Sequence, residues 1–216
     1  MTRFSRATAH PCDRPRPAPL PVPPELPAGL ARHPRVLQLI SADSVSRGCG
    51  PARHVRRCID ITQATARALD PQARIRCAAS AGTAAHHLDL LTASGNNQWS
   101  VSRRAGDAGQ VLLEEMNDLI TAHLIATGPR PKRQRRTRAA DLVILVGDDP
   151  AYAPPVRRLR LLGIPTWLMM PGRQVPASLY AYASAVSFVG PGRPDLTTRG
   201  QLTPSLSPPS VRSGRT

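Results

Sequence analysis

The stretch ADLVILVGDDPAYAPPVRRLRLLGIPTWLMM, residues 140 to 170, decides the fold class. It opens with DLVILVG (141 to 147), an unbroken apolar run of strand length, and closes with IPTWLMM (164 to 170), a second one. Such runs, without polar alternation, are the pattern of strands covered on both faces. Between them YAPPVRRLRLLG reads as a helix with prolines in its first turn, where amides lack intrahelical acceptors anyway. Strand, helix and strand in so short a span form a parallel-sheet unit.

Outward from it the alternation continues. RVLQLIS (35 to 41), ARIRCAAS (73 to 80), QWSVSR (98 to 103) and AVSFVG (185 to 190) read as strands. VRRCIDITQATARAL (55 to 69), TAAHHLDLLTA (83 to 93) and VPASLYAYA (175 to 183) read as helices. The clearest amphipathic helix is QVLLEEMNDLITAHLIA, in which Leu112, Met116, Leu119, Ile120, His123 and Leu124 recur at three- and four-residue steps. The expected architecture is α/β: an open, doubly wound, mainly parallel sheet in a Rossmann-like three-layer arrangement over residues 35 to 190.

Three segments fall outside that alternation. Residues 11 to 34 hold nine prolines, a density that opposes regular structure, so residues 1 to 34 are expected to form a disordered Pro/Arg-rich arm. Residues 191 to 216, low in apolar content, are expected to be a disordered tail. GPRPKRQRRTR (128 to 138) interrupts the domain as a basic loop whose like charges repel.

Composition narrows the function classes. Aromatics are only 3% of the 216 residues, so the core must rest on Leu, Val, Ile and Ala. No apolar run approaches the roughly 18 residues needed to cross a bilayer, and charges and prolines stand where a leader would need an apolar stretch. The expectation is a soluble, cytoplasmic protein without a membrane partner. Cys12, Cys49, Cys58 and Cys77 form no C-x-x-C pair, so reduced thiols are expected rather than a zinc ribbon or a disulfide framework. His86 and His87 are adjacent, point about 100° apart on a helix and do not easily share one ion. No G-x-G-x-x-G or Walker pattern follows a strand, which disfavours nucleotide cofactors.

The formal net charge is +15, which invites a reading of nucleic-acid binding. Its distribution matters more than its total. Residues 1 to 33 carry five Arg against two acids, residues 129 to 138 six basic side chains, and residues 193 to 216 four Arg against one acid. The remaining body, with 14 basic and 11 acidic residues, is an ordinary surface.

In open parallel sheets the functional crevice lies beyond the carboxyl ends of the strands. Asp43 follows the first strand, Asp107 precedes the long helix, and Asp148 and Asp149 follow the fourth strand. Such carboxylates could converge and hold Mg²⁺ or Mn²⁺, hard cations that take oxygen ligands and can activate water. An aspartate after a strand also caps the next helix, and on the sequence pattern alone that role suits Asp149 better than metal binding.

Residues 140 to 172 resemble the closing half of NYN domains, PIN-like metal-dependent ribonucleases whose fourth strand runs into a motif like S-G-D-S-D-F-x-P-L-V. Gly147, Asp148, Asp149, Pro150, Ala151, Tyr152, Ala153, Pro154, Pro155 and Val156 fall on it without gaps. Asp149 matches the first family aspartate and Ala151 takes the place of the second. ISADSV (40 to 45) is similar to the family's V-D-A-E-N-V, with Ser41, Asp43 and Ser44 for Asp, Glu and Asn. RRAGDAGQVLL (103 to 113) is similar to R-R-G-P-D-G-A-D-x-A-L-L, with Asp107 on the lesser acid and Gln110 on the metal-binding one.

This resemblance implies catalytic roles for Asp149, Asp43 and Asp107 and metal binding by Asp149 and Asp148, with Mg²⁺ or Mn²⁺ as cofactor if the site is active and none otherwise. Because Ser41, Gln110 and Ala151 are neutral at three acidic positions, it implies weakened or absent catalysis with RNA binding retained. The phosphate contacts would come from Arg157, Arg158 and Arg160 and from Lys132, Arg133, Arg135 and Arg136. Two alternatives stand beside it: an active Mg²⁺/Mn²⁺-dependent ribonuclease, and a non-catalytic module that engages a protein partner through its proline-rich arm.

Overall fold

The computed structural model describes residues 17–27, 30, 33–87, 98–102, 107–127, 140–172 and 174–189. Six strands form one sheet: β1 (Val36–Ser41), β2 (Arg74–Ser80), β3 (Gln98–Ser102), β4 (Leu142–Val146), β5 (Thr166–Met170) and β6 (Ala185–Phe188). Every pairing is parallel and the order is β3-β2-β1-β4-β5-β6. The chain winds outward from β1 in one direction and from β4 in the other, so the expected doubly wound α/β class is the observed one.

The helices are α1 (Ala42–Cys49), α2 (Ala52–Leu69), α3 (Ala81–His86), α4 (Asp107–Thr127), α5 (Ala153–Leu161) and α6 (Ala177–Tyr180), with a 3-10 turn at Pro150–Tyr152 before α5. They cover both faces, and the strand period of two sorts the side chains. Leu142, Ile144, Val146, Trp167 and Met169 join Val45, Val55, Cys58 and Ile59 of α1 and α2 in one core. Val143, Leu145, Leu168 and Met170 join Leu112, Met116, Val156, Leu159 and Leu179 of α4, α5 and α6 in the other. Two cores on opposite faces are why β1, β4 and β5 are buried at every position and why β4 is apolar throughout.

α5 shows how the deciding stretch folds locally. Pro154 and Pro155 lie in its first turn, and its end is closed by a left-handed Gly163 with φ +71. Gly163 N–H bonds the Arg160 carbonyl and Ile164 N–H that of Leu159, the paired bonds of a Schellman cap. Leu159 and Ile164 are both buried in the same core, the apolar contact that accompanies this cap.

Three expectations are corrected. A helix between β1 and α2 was absent from the sequence reading, yet α1 follows β1 directly because Ser41 caps it, accepting the Ser44 N–H. The helix expected over residues 83 to 93 runs instead from Ala81 to His86, with residues 88–97 outside the described ones. The arm expected to be disordered through residue 34 packs on the domain well before that: Leu20 and Leu26 are buried in the α1/α2 core, and Leu20 N–H donates to Thr65 Oγ1 at 2.8 Å. Prolines forbid helix and ladder there, but an extended chain can still seat two leucines. The segments 1–16 and 190–216 and the basic loop 128–138 lie outside the described residues.

Candidate functional site

Register brings the candidate acids to one rim. Ile40 of β1 is level with Cys77 of β2 and Val146 of β4, so the chain leaves all three strands at the same carboxyl edge, where the winding direction reverses. Asp43 sits in the first turn of α1, Asp148 and Asp149 follow β4, and Asp107 opens α4. The side chain of Asp107 lies outside the described residues.

Each described carboxylate has a protein donor. Asp43 Oδ1 accepts from the Ser80 N–H and the Ser80 hydroxyl, both at 3.0 Å, which ties the end of β1 to the end of β2. Ser80 in turn caps α3, its Oγ accepting from Thr83 N–H. Asp148 Oδ1 is 3.1 Å from Arg47 Nη2, and that same nitrogen reaches Ser44 Oγ at 3.4 Å. Asp149 Oδ1 accepts from Ala151 N–H at 2.9 Å and so caps the 3-10 turn. The capping role read from the sequence is the one seen.

Tyr152 stands at the centre of this rim with its ring fully buried. Its hydroxyl neighbours Ser41 but has no hydrogen-bond partner at bonding geometry. Burial pushes its phenol up to about 12, opposed by the Ser41 hydroxyl and reinforced by the charges of Asp149, Asp148 and Asp43. The three acids thus lie near enough to this hydroxyl for their charges to act on it. Two glycines make room for the ring. A Cβ on Gly147 would stand 3.2 Å from Tyr152 Cε2, and one on Gly109 would stand 3.3 Å from Asp149 Oδ2 and 3.4 Å from the Tyr152 hydroxyl. Gly109 lies in the first turns of α4, so that helix start belongs to the same rim.

Among the described side chains, the donor set does not converge on one point for a hard divalent cation. Among the described residues no three His, Cys, Asp or Glu side chains group closely enough to hold a metal ion. Ser41 is spent on capping α1, while Gln110 and Ala151 are exposed neutral side chains. Mg²⁺ demands near-ideal octahedral oxygen ligation through one or two carboxylates and waters, whereas here the acids face separate donors.

Within α5, Arg157 and Arg160 face the segment between α6 and β6. α5 starts at the carboxyl edge and runs back to the amino edge, where β5 begins. Arg160 Nη1 donates to the Ala181 carbonyl at 2.9 Å, and the Arg157 guanidinium lies over the Tyr182 ring at 5.8 Å. Ser184, two residues on from Tyr182, bonds Thr166 at the start of β5, which places this connection toward the amino edge. Arg158 is exposed on the same helix. Lys132, Arg133, Arg135 and Arg136 lie outside the described residues.

Among the described residues the arginine at the rim is Arg47, and neither it nor Ser80 was singled out in the sequence. A partial signal was present: Asp43 and Arg47 are four residues apart on a helix, the spacing of an intrahelical ion pair. Here both reach across to other strands instead. Ser80 and Thr83 have the spacing of a helix cap after a strand.

No family model matches this chain, and no curated protein matches it. Among solved structures it is similar to the crystal structure of a protein of unknown function from Vibrio parahaemolyticus RIMD 2210633. The two are 13% identical, with 76% of this chain and 96% of that chain covered and a TM-score of 0.43.

Proposed function

We propose that this chain is an NYN-type, PIN-like protein that binds RNA and in which ribonuclease chemistry is weakened or lost. The observation that carries the second half is the fate of the acids: Asp43, Asp148 and Asp149 are held by Ser80, Arg47 and the Ala151 amide respectively. A nuclease centre needs its ligands fixed within roughly half an ångström around one shared point. Carboxylates that serve as caps and ion-pair partners stabilise the rim without defining such a point. Mg²⁺ or Mn²⁺ is therefore not part of the reading.

The RNA half is supported by charge and sequence resemblance. Six basic side chains between residues 129 and 138 are enough to neutralise several phosphates without reading bases. Among the described residues no helix is long and apolar enough to cross a membrane, so a membrane-spanning role does not compete for that charge.

Two measurements test the two halves. Retention on a single-stranded RNA should fall steeply with salt, with a slope of about −4 in log K against log salt if all six cations meet phosphates. Deleting residues 129 to 138 should flatten that slope. Retention unchanged by the deletion overturns the loop contact, and no retention at low salt overturns RNA binding and favours a protein partner. Calorimetric titration with Mn²⁺ should give no saturable heat in wild type. Saturable binding that is lost in Asp149→Asn would restore the active nuclease.

A further inference from the structure

The α1/α2 side of the molecule holds a chemical feature that the rim does not use. Cys49 ends α1 and Cys58 lies in α2, and both are buried free thiols. Their sulfurs converge on one acceptor: Cys49 Sγ is 4.0 Å and Cys58 Sγ 3.6 Å from the Val189 carbonyl oxygen. Cys49 Sγ also lies 3.9 Å from the Pro171 carbonyl. Sharing that acceptor brings the two thiols, on either side of the turn made by Gly50 and Pro51, close enough to perturb each other's titration. Cys77, the third described cysteine, is buried elsewhere in the same core.

We propose that Cys49 and Cys58 form a reversible dithiol–disulfide pair that reacts with low-molecular-weight disulfides such as glutathione disulfide. Cys49 attacks one sulfur of the external disulfide, forming a mixed disulfide and releasing one thiolate. Cys58 then attacks the Cys49 sulfur of that mixed bond, which forms the Cys49–Cys58 bond and expels the second thiolate. The two cysteine protons pass to the two released thiolates. In sum, two protein thiols are oxidised and one external disulfide is reduced to two thiols, so atoms and electrons balance.

The order of attack follows from the surroundings. Cys49 sits at a helix end beside exposed Gly50, and the contact with Cys58 holds its thiol below the usual range despite burial. Cys58 is driven the other way by its contact with Cys49 and by burial. With both residues equally buried, the thiol with more thiolate character attacks first. Closing the bond fixes the end of α1 to α2, and α1 is the helix that carries Asp43, Ser44 and Arg47. The redox state of this pair thereby sets how firmly one wall of the rim is held.

The test uses the full native chain, incubated with glutathione disulfide, quenched with iodoacetamide and digested with trypsin. Cleavage after Arg47, Arg53, Arg57 and Arg67 puts Cys49 in GCGPAR (48 to 53) and Cys58 in CIDITQATAR (58 to 67). The expected result is these two peptides linked, with two fewer alkylated thiols and full return of both on adding dithiothreitol. Cys58→Ser should trap glutathione on Cys49, whereas Cys49→Ser should leave Cys58 unmodified. If the folded chain yields no link while a urea-unfolded sample does, the proposal fails. A dominant link through Cys12 or Cys77 overturns it as well. Should either variant not fold, the wild-type map alone decides.

Discussion

At the scale of single residues, the rim is held by side chains whose roles can be separated by substitution. Asp43→Ala removes the acceptor for both the Ser80 amide and the Ser80 hydroxyl. Leaving such donors unpaired costs about 1 to 3 kcal/mol, so a lower urea midpoint with an unchanged m-value is expected, and Asp43→Asn should recover part of it. Tyr152→Phe behaves oppositely at neutral pH. Its hydroxyl is buried without a bonded partner, so its removal should leave stability within about 0.5 kcal/mol or raise it. The effect appears at alkaline pH. Because the folded phenol is pushed up to about 12 from an ordinary 10, the folded chain retains a proton that the unfolded chain releases. Stability is then full below pH 10 and is lost as pH rises toward 12, by up to about 1.4 kcal/mol per pH unit. Denaturation series between pH 10 and 12 should show a shallower loss for Tyr152→Phe than for wild type, and parallel slopes would refute this account. The places of Asp43 and Asp149 were legible in the sequence, since topology alone sends strand-following residues to one edge. The partners of Asp43 and Asp148 were not, because Ser80 and Arg47 meet them only through the register of β1 with β2 and β4.

At the scale of elements, legibility followed apolar content. β4 and β5 are buried at every position, and such runs announce themselves. α1 has eight residues with Ala42, Val45 and Cys49 as its buried apolar ones, too few to stand out from a loop. Its capping serine at position 41 was the usable signal, and reading Ser41 only as a missing acid obscured it. α1 also shows how closely elements approach. A Cβ on Gly48 would stand 2.9 Å from the Pro171 backbone carbon, so Gly48→Ala forces α1 away from the turn after β5. A loss of about 1 to 3 kcal/mol is expected, as for overpacking elsewhere. Gly163→Ala isolates a different cause, because nothing lies within 4 Å of the added carbon while φ is +71. The left-handed conformation alone should cost about 1 to 2 kcal/mol. Thermal melts of both variants check these figures, and a Gly163→Ala melt equal to wild type would show that the Schellman cap relaxes at no cost.

At the scale of the whole molecule, the domain boundary was the largest misreading, and composition explains why. Proline density forbids helix and sheet but says nothing about whether an extended segment finds a groove. Residues 17–27 take no regular structure beyond a turn, yet they close one end of the α1/α2 core by burying Leu20 and Leu26. Sequence periodicity cannot detect this, since two leucines six residues apart in an extended chain match no repeat. The docking is directional as well as apolar, because the Leu20 amide donates to Thr65 Oγ1, whose own hydroxyl donates to the Ile61 carbonyl. If the arm belongs to the folded unit, Leu20→Ala should lower global stability by about 2 kcal/mol, at the small end of the range for leucine truncation because the site lies near the surface. Thr65→Val should also destabilise, by leaving the buried Leu20 amide without an acceptor. Residues that act on one docked segment couple, so the double variant should lose less than the two single losses added together. Val22→Ala supplies the contrast: its side chain is 51% exposed, and a change within about 0.5 kcal/mol is expected. Chemical denaturation of the four variants decides the matter, and a Leu20→Ala variant as stable as wild type would return this arm to the linker role that its prolines first suggested.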